Sequence, residues 1–180
     1  MITITLQQIE THRPCTSGWT KVLRANGGAN ADRTQPFALA SVLDSNDLAD
    51  TLWCLKCLPE YDSVWRLYAV WCARQVQHLM VDQRSIRALD VATDYALGQA
   101  TRDELAAAAD IAYTYAARTD AYAAAADAAD AADTAYAAAA ADAAAYADAR
   151  AATRKKQADM IRRVLNADAP LDEIKEALNV

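Results

Sequence analysis

Residues 116–152 constrain this chain more than any other part of it. Twenty-four of these 37 residues are Ala, and none is Gly or Pro. Ala is the strongest helix former, because its methyl group loses no rotamer freedom and hides no polar atom. No bulky aliphatic residue occurs between Ile111 and Met160. The stretch therefore reads as helix, yet it cannot assemble a core from its own side chains. Isolated Ala-rich helices are marginal, so its partners in packing decide its role.

Leu, Ile, Val and Trp concentrate before Leu97. This places the expected core in the first half, as a compact helical domain over 1–98 followed by an Ala-rich helical segment over 99–180. Thr5-Leu6-Gln7-Gln8 has capping-box spacing and predicts a short helix to His12, stopped by Pro14. A second helix begins near Thr16 and ends at Asn26-Gly27-Gly28. Phe37 to Leu43 reads as a third. Asp44-Ser45-Asn46-Asp47 is a turn that caps a fourth, Leu48 to Leu58, closed by Pro59. Asp62 is expected to cap a fifth, running to Leu79, whose apolar residues cover nearly its whole circumference, the mark of a central helix. Asp82 starts a sixth that Gly98 ends. Thr101-Arg102-Asp103-Glu104 is a second capping box and opens the long segment, roughly 100 Å if unbroken to Leu165 at ~1.5 Å per residue. Asp168 and Pro170 begin a last short helix ending at Leu178. With almost no strand signal, the expected class is all-α: a multi-helix N-terminal domain, a long Ala-rich helix or helical hairpin, and a short C-terminal helix.

The formal net charge of -6 opposes general nucleic-acid binding, which needs a basic face. Asp residues interrupt the Ala stretch every few positions, so no membrane span is expected. Met1 to Glu10 lacks the basic and apolar regions of a signal peptide. Cys15, Cys54, Cys57 and Cys72 are then expected as reduced thiols in a cytoplasm.

Within the Ala-rich segment, Tyr115, Tyr122 and Tyr136 share one heptad phase, with Ala129 and Ala143 in the same register. Asp120, Asp127 and Asp148 share another phase, about 200° away at 3.6 residues per turn. Small side chains let helix axes approach to the low end of the usual ~8–10 Å. One reading is a close-packed hairpin or a homodimer seam through the Ala face. The other is a recognition surface, with Asp120, Asp127, Asp130 and Asp133 meeting basic groups and Tyr122 and Tyr136 as anchors. DNA mimicry fails on arithmetic: six carboxylates over ~43 Å compare with about 25 charges on duplex DNA at one per ~1.7 Å. Ice binding fails because Thr114, Thr119, Thr134 and Thr153 keep no common period.

Cys54-Leu55-Lys56-Cys57 is a lone Cys-x-x-Cys. Positions three apart on a helix both face inward, and Cys is among the most buried residues, so buried thiols are expected rather than a metal or redox site. Trp19, Trp53, Trp65 and Trp71 are expected in the core. His12, His78 and Gly27-Gly28 lie in no catalytic or phosphate-binding pattern. No catalytic residue, metal ligand or cofactor is expected, and the chain does not read as an enzyme.

Leu67-Tyr68-Ala69-Val70-Trp71-Cys72-Ala73-Arg74, then Asp82, Arg84, Ala88, Ala92 and Ala96-Leu97-Gly98-Gln99-Ala100-Thr101, carry a resemblance. With the Ala runs that follow, they make the region from Leu48 similar to the Ala-rich immunity proteins of bacterial polymorphic-toxin systems. That family has Pro-Arg where this chain has Ser85-Ile86. Cys15, Gly18-Trp19 and the run from Leu43 to Trp53 resemble the front of Ala-rich phage and prophage proteins. The resemblance implies a protein-binding inhibitor whose partner is a toxin, nuclease or defence-complex subunit, and brings no catalytic motif. Within that class, an immunity protein and a phage anti-defence protein of the anti-CRISPR kind are the two variants. A structural dimerisation module is the third reading.

Overall fold

The computed structural model describes residues 1–80, 82–116 and 147–180, and their side chains except at positions 79, 112–116 and 147–150. Helix α5 (Asp62–Arg74) is the element that the others surround. Val64, Trp65, Leu67, Tyr68, Ala69, Val70, Cys72 and Ala73 are all buried, so its apolar residues face in on almost every side, as expected. Removing one such large side chain from water is worth about 1.5–3 kcal/mol, which is why a helix this apolar occupies the middle.

Before it come α1 (Leu6–Thr11), α2 (Thr16–Ala25), α3 (Ser41–Ser45) and α4 (Leu48–Leu55). After it come α6 (Gln83–Ala96), α7 (Arg102–Ala116), α8 (Ala147–Asn166) and α9 (Pro170–Leu178). The fold is all-α. Both capping boxes form. The Thr5 Oγ1 accepts from the Gln8 N–H at 3.1 Å while the Thr5 N–H donates to Gln8 Oε1 at 2.8 Å. The Thr101 N–H likewise donates to Glu104 Oε2 at 2.7 Å. Gly98, at φ +75°, ends α6 in a conformation that a side chain would strain.

Several expectations need correction. Phe37-Ala38 is a strand, paired antiparallel with Thr3-Ile4, and the third helix begins only at Ser41. The reason is tertiary: the N-terminal segment pairs with the backbone of Phe37-Ala38. Ile2 and Ile4 are buried on either side of exposed Thr3, the period-2 pattern of a strand. Helix α4 stops at Leu55 rather than Leu58, because Leu58 precedes Pro59 and takes a non-helical conformation. Tyr61, not Asp62, occupies the N-cap of α5. Asp62 is its first residue and pairs with Arg66 one turn on, at 2.6 Å. Helix α5 ends at Arg74, and a 3-10 turn at Gln77–Leu79 follows.

The largest correction concerns the core, which the first half does not hold alone. Met160, Ile161, Val164 and Leu165 of α8 and Ile174 of α9 are buried in the same cluster as Leu39, Leu52 and Leu67. The bulky residues that the Ala-rich stretch lacks reappear at Met160, and the chain returns there. The return is fixed by polar contacts: the Ile2 N–H donates to the Leu165 carbonyl at 2.7 Å, and Arg162 meets Asp44 at 2.7 Å. Of the four Trp, only Trp65 is buried, its Nε1–H donating to the Leu58 carbonyl at 3.0 Å. Trp19, Trp53 and Trp71 are half-buried and pack on the rim of the core. The expected helix or hairpin across 101–165 lies partly outside the described residues. Among the described residues, no helix is long and apolar enough to cross a membrane.

Candidate functional site

The expected anchors Asp120, Tyr122, Asp127, Asp130, Asp133 and Tyr136 lie outside the described residues, as does the dimer seam expected around Ala129 and Ala143. Within the described part, a cleft of about 100 Å³ lies between the α1–α2 and α3–α4 pairs. Its walls are largely apolar: Ile9, Val22, Val42, Trp19 and Trp53. Its polar atoms come from Asn46 and Asp50, and two thiols, Cys15 and Cys54, border it.

A small hydrogen-bonded device sets this geometry. The Asn46 amide donates to the Gly18 carbonyl of α2 at 2.9 Å and to Asp50 Oδ2 of α4 at 2.8 Å. It thereby joins the two helix pairs. Asp47 caps α4, its Oδ1 accepting from the Asp50 N–H at 2.9 Å, which fixes where the Asp50 side chain starts. Gly18 is buried, and a Cβ built there would meet both Asp50 carboxylate oxygens at 3.1 Å. Any side chain there would push the Asp50 carboxylate back by a few tenths of an ångström, so glycine suits the close approach of α2 to Asp50. Asp50 Oδ2 is held by Asn46, whereas Oδ1 accepts no hydrogen bond from the described residues.

The two cleft tryptophans also carry cations. Lys56 Nζ sits 3.9 Å from the Trp53 ring centroid, and the Arg33 guanidinium 5.1 Å from that of Trp19. Neither Lys56 nor Arg33 lines the cleft.

The four thiols are free and divide by environment. Burial pushes the thiols of Cys54 and Cys72 up to about 12 and that of Cys57 up to about 11. These three behave as small core residues, in agreement with the reading of the Cys-x-x-Cys. Cys15 differs. It is the N-cap of α2, exposed, and its sulfur accepts from the Gly18 N–H at 3.4 Å. Hydrogen bonds from the Ser17 hydroxyl and the Gly18 N–H hold it below the usual thiol range. His12 contacts the Gln8 carbonyl through Nδ1 at 3.0 Å, and exposed His78 lies in the 3-10 turn after α5. Among the described residues, no group of three His, Cys, Asp or Glu side chains is placed to hold a metal ion.

A second polar cluster is enclosed. The Tyr68 hydroxyl donates to the Gln157 carbonyl at 3.1 Å and hydrogen-bonds Cys72, with burial raising the Tyr68 phenol further. The Gln157 side chain approaches Cys72, but a thiol is a weak partner, and neither end of the amide meets a hydrogen bond of full geometry.

The cleft was hidden in the sequence because its polar members do double duty. Asp44-Ser45-Asn46-Asp47 reads as a turn, and in the structure Asp47 caps α4 while Asp50 lies in its first turn. The signal that marks the pair is the four-residue spacing of Asn46 and Asp50, which brings amide to carboxylate. Compared with protein-family models, curated proteins and solved structures, the chain has no match.

Proposed function

We propose that this chain is a non-catalytic protein-binding inhibitor that neutralises a toxin or another effector, in the manner of immunity proteins. The observation that carries this reading is the cleft with half-buried Trp19 and Trp53 on its walls. Binding energy at protein interfaces concentrates in a few anchors that fill desolvated pockets, and Trp is among the residues most enriched there. At about 100 Å³ the cleft falls below the ~300–1,000 Å³ typical of small-molecule sites, so its size suits one side chain. Residues that carry the second sequence resemblance (Cys15, Gly18, Trp19, Asn46, Asp50 and Trp53) line it.

The thiol environments support the same reading. At neutral pH, thiols titrating near 11 or 12 are almost wholly protonated and poor nucleophiles. The bonds that lower the Cys15 thiol are a hydroxyl and an amide N–H, and neither is a base that could take its proton.

The test is purification of the tagged chain from cells of its own host, followed by separate purification and assay of any stoichiometric partner. The expected result is a defined complex on gel filtration in which the partner loses its activity. A partner that stays fully active in a saturated complex removes the inhibitor reading. Recovery of the chain alone, as an oligomer, favours the dimerisation module instead.

A further inference from the structure

We infer that the cleft between α1–α2 and α3–α4 receives a lysine side chain of the protein partner, its ammonium on Asp50 Oδ1 and its methylene stem against Trp19 and Trp53. This rests on the protein-binding reading above and gives it a chemistry.

Three observations lead there. First, the cleft carries a half-buried carboxylate with one oxygen uncommitted: Asp50 Oδ2 takes the Asn46 amide, and no described group donates to Oδ1. Second, size selects the ligand. An engineered cavity of about 150 Å³ holds one benzene, so about 100 Å³ suits a slender four-carbon stem better than an aromatic ring. Third, the number of free acceptors selects the cation. Arginine binds carboxylates best through two parallel bonds, which need both oxygens. With one oxygen committed to Asn46, the site fits the point charge of a lysine ammonium. The same tryptophans already accept cations on this surface, from Lys56 and Arg33. The chain's own net charge of -6 draws a basic partner towards it.

The probe is Nα-acetyl-lysine amide, titrated into the full-length ¹⁵N-labelled chain while the indole N–H signals are followed. Trp19 and Trp53 should shift saturably. Trp65, whose indole is tied to the Leu58 carbonyl in the core, should not. The norleucine analogue keeps the stem and drops the charge, and should bind about tenfold more weakly or worse, since a bond to an ionised group is worth at least that factor. Asp50→Asn, which can still accept from Asn46, should cause the same loss with the lysine probe. Gly18→Ala, which crowds the carboxylate, should weaken binding in the same direction, and the exposed Glu60→Gln should leave it unchanged. Equal shifts from lysine and norleucine, an Asp50→Asn variant that binds as the parent does, or unmoved Trp19 and Trp53 signals would each overturn the inference. So would shifts that follow protein concentration without probe, which would seat a second copy in the cleft. If the probe fails while a captured partner is still inhibited, the inhibitor reading stands and its surface lies elsewhere. If the probe binds and no partner is inhibited, the cleft stands without that role.

Discussion

Cys72 and Cys15 each hydrogen-bond a neighbouring polar side chain, and the surroundings turn them into opposite things. Around Cys72, the helices α5 and α8 close over Tyr68 and Gln157, and the thiol is pushed up to about 12. Around Cys15, the helix pairs stop short of closing. The sulfur is exposed at the start of α2, and Asp50 keeps one oxygen open. Polar groups inside a closed core hold it together, whereas the same groups at an open seam remain available to something else. This contrast, more than any motif, separates framework from candidate site.

The sharpest way to break the comparison is thiol chemistry, where the expected effect is largest. Three pH units separate Cys72 from an ordinary thiol near 9, and Cys15 lies below that ordinary value. Their thiolate fractions then differ by at least about a thousandfold at neutral pH, before burial restricts access. A disulfide reagent added to native protein should titrate one thiol fast, the one lost in Cys15→Ser. The other three should appear only on unfolding. As pH falls, the fast reaction should persist further than it does for a free thiol of ordinary pKa. Fast reaction of Cys72 in native protein would mean that the closed region opens as readily as the cleft.

Stability comes next. Tyr68 is fully buried, so Tyr68→Ala should cost about 3–5 kcal/mol through lost burial and the cavity left behind. Trp53→Ala removes a larger side chain from a half-buried position and should cost only about 1–2 kcal/mol. Urea unfolding of the two variants measures both. If Trp53→Ala costs as much as Tyr68→Ala, the cleft is part of the framework and loses its claim as a site.

The sequence made part of this contrast legible. Capping residues are local, and Thr5, Asp47, Asp82 and Thr101 all mark helix starts as read, because one side chain and one N–H two or three residues away suffice. The all-round apolar pattern of α5 also carried through, since only a central helix can bury so many faces. What was not legible is where separate stretches meet. Nothing local in Met160, Ile161, Val164 and Leu165 shows that they pack on helices more than a hundred residues earlier. The strand at Phe37-Ala38 exists because Thr3-Ile4 pairs with it. The cleft is of the same kind, made by Gly18 and Asp50 from different helices, so single-stretch reading could name its residues but not bring them together.

The closed cluster has one loose end that sharpens the comparison from its other side. Gln157 is buried, and neither end of its amide is properly bonded. An unpaired buried polar group costs about 1–3 kcal/mol. Gln157→Met keeps the length of the side chain and removes both orphan atoms, and should raise stability by about 1 kcal/mol. A lower urea midpoint would show that a water or another group satisfies the amide, and that the cluster is less closed than Cys72 suggests.

The smallest effect belongs to the contact that ties α8 back to α3 beside the cleft. Arg162 meets both Asp44 oxygens, at 2.7 and 3.2 Å. This hydrogen-bonded pairing holds the Asp44 carboxyl below its ordinary value. A carboxyl whose folded pKa is depressed adds stability above its unfolded pKa, near ~3.9, and loses it as pH falls through the lower folded value. The two side chains are 66% and 43% exposed, so solvent screens the pair and its worth stays below about 1 kcal/mol. Asp44→Asn should therefore lower the urea midpoint slightly at pH 6, and the difference should vanish on acidification through the Asp44 titration below ~3.9. It should also shrink in 1 M salt, where screening acts within about 3 Å. A difference that grew as the pH dropped would show that Asp44 is stabilised by something other than the charge of Arg162.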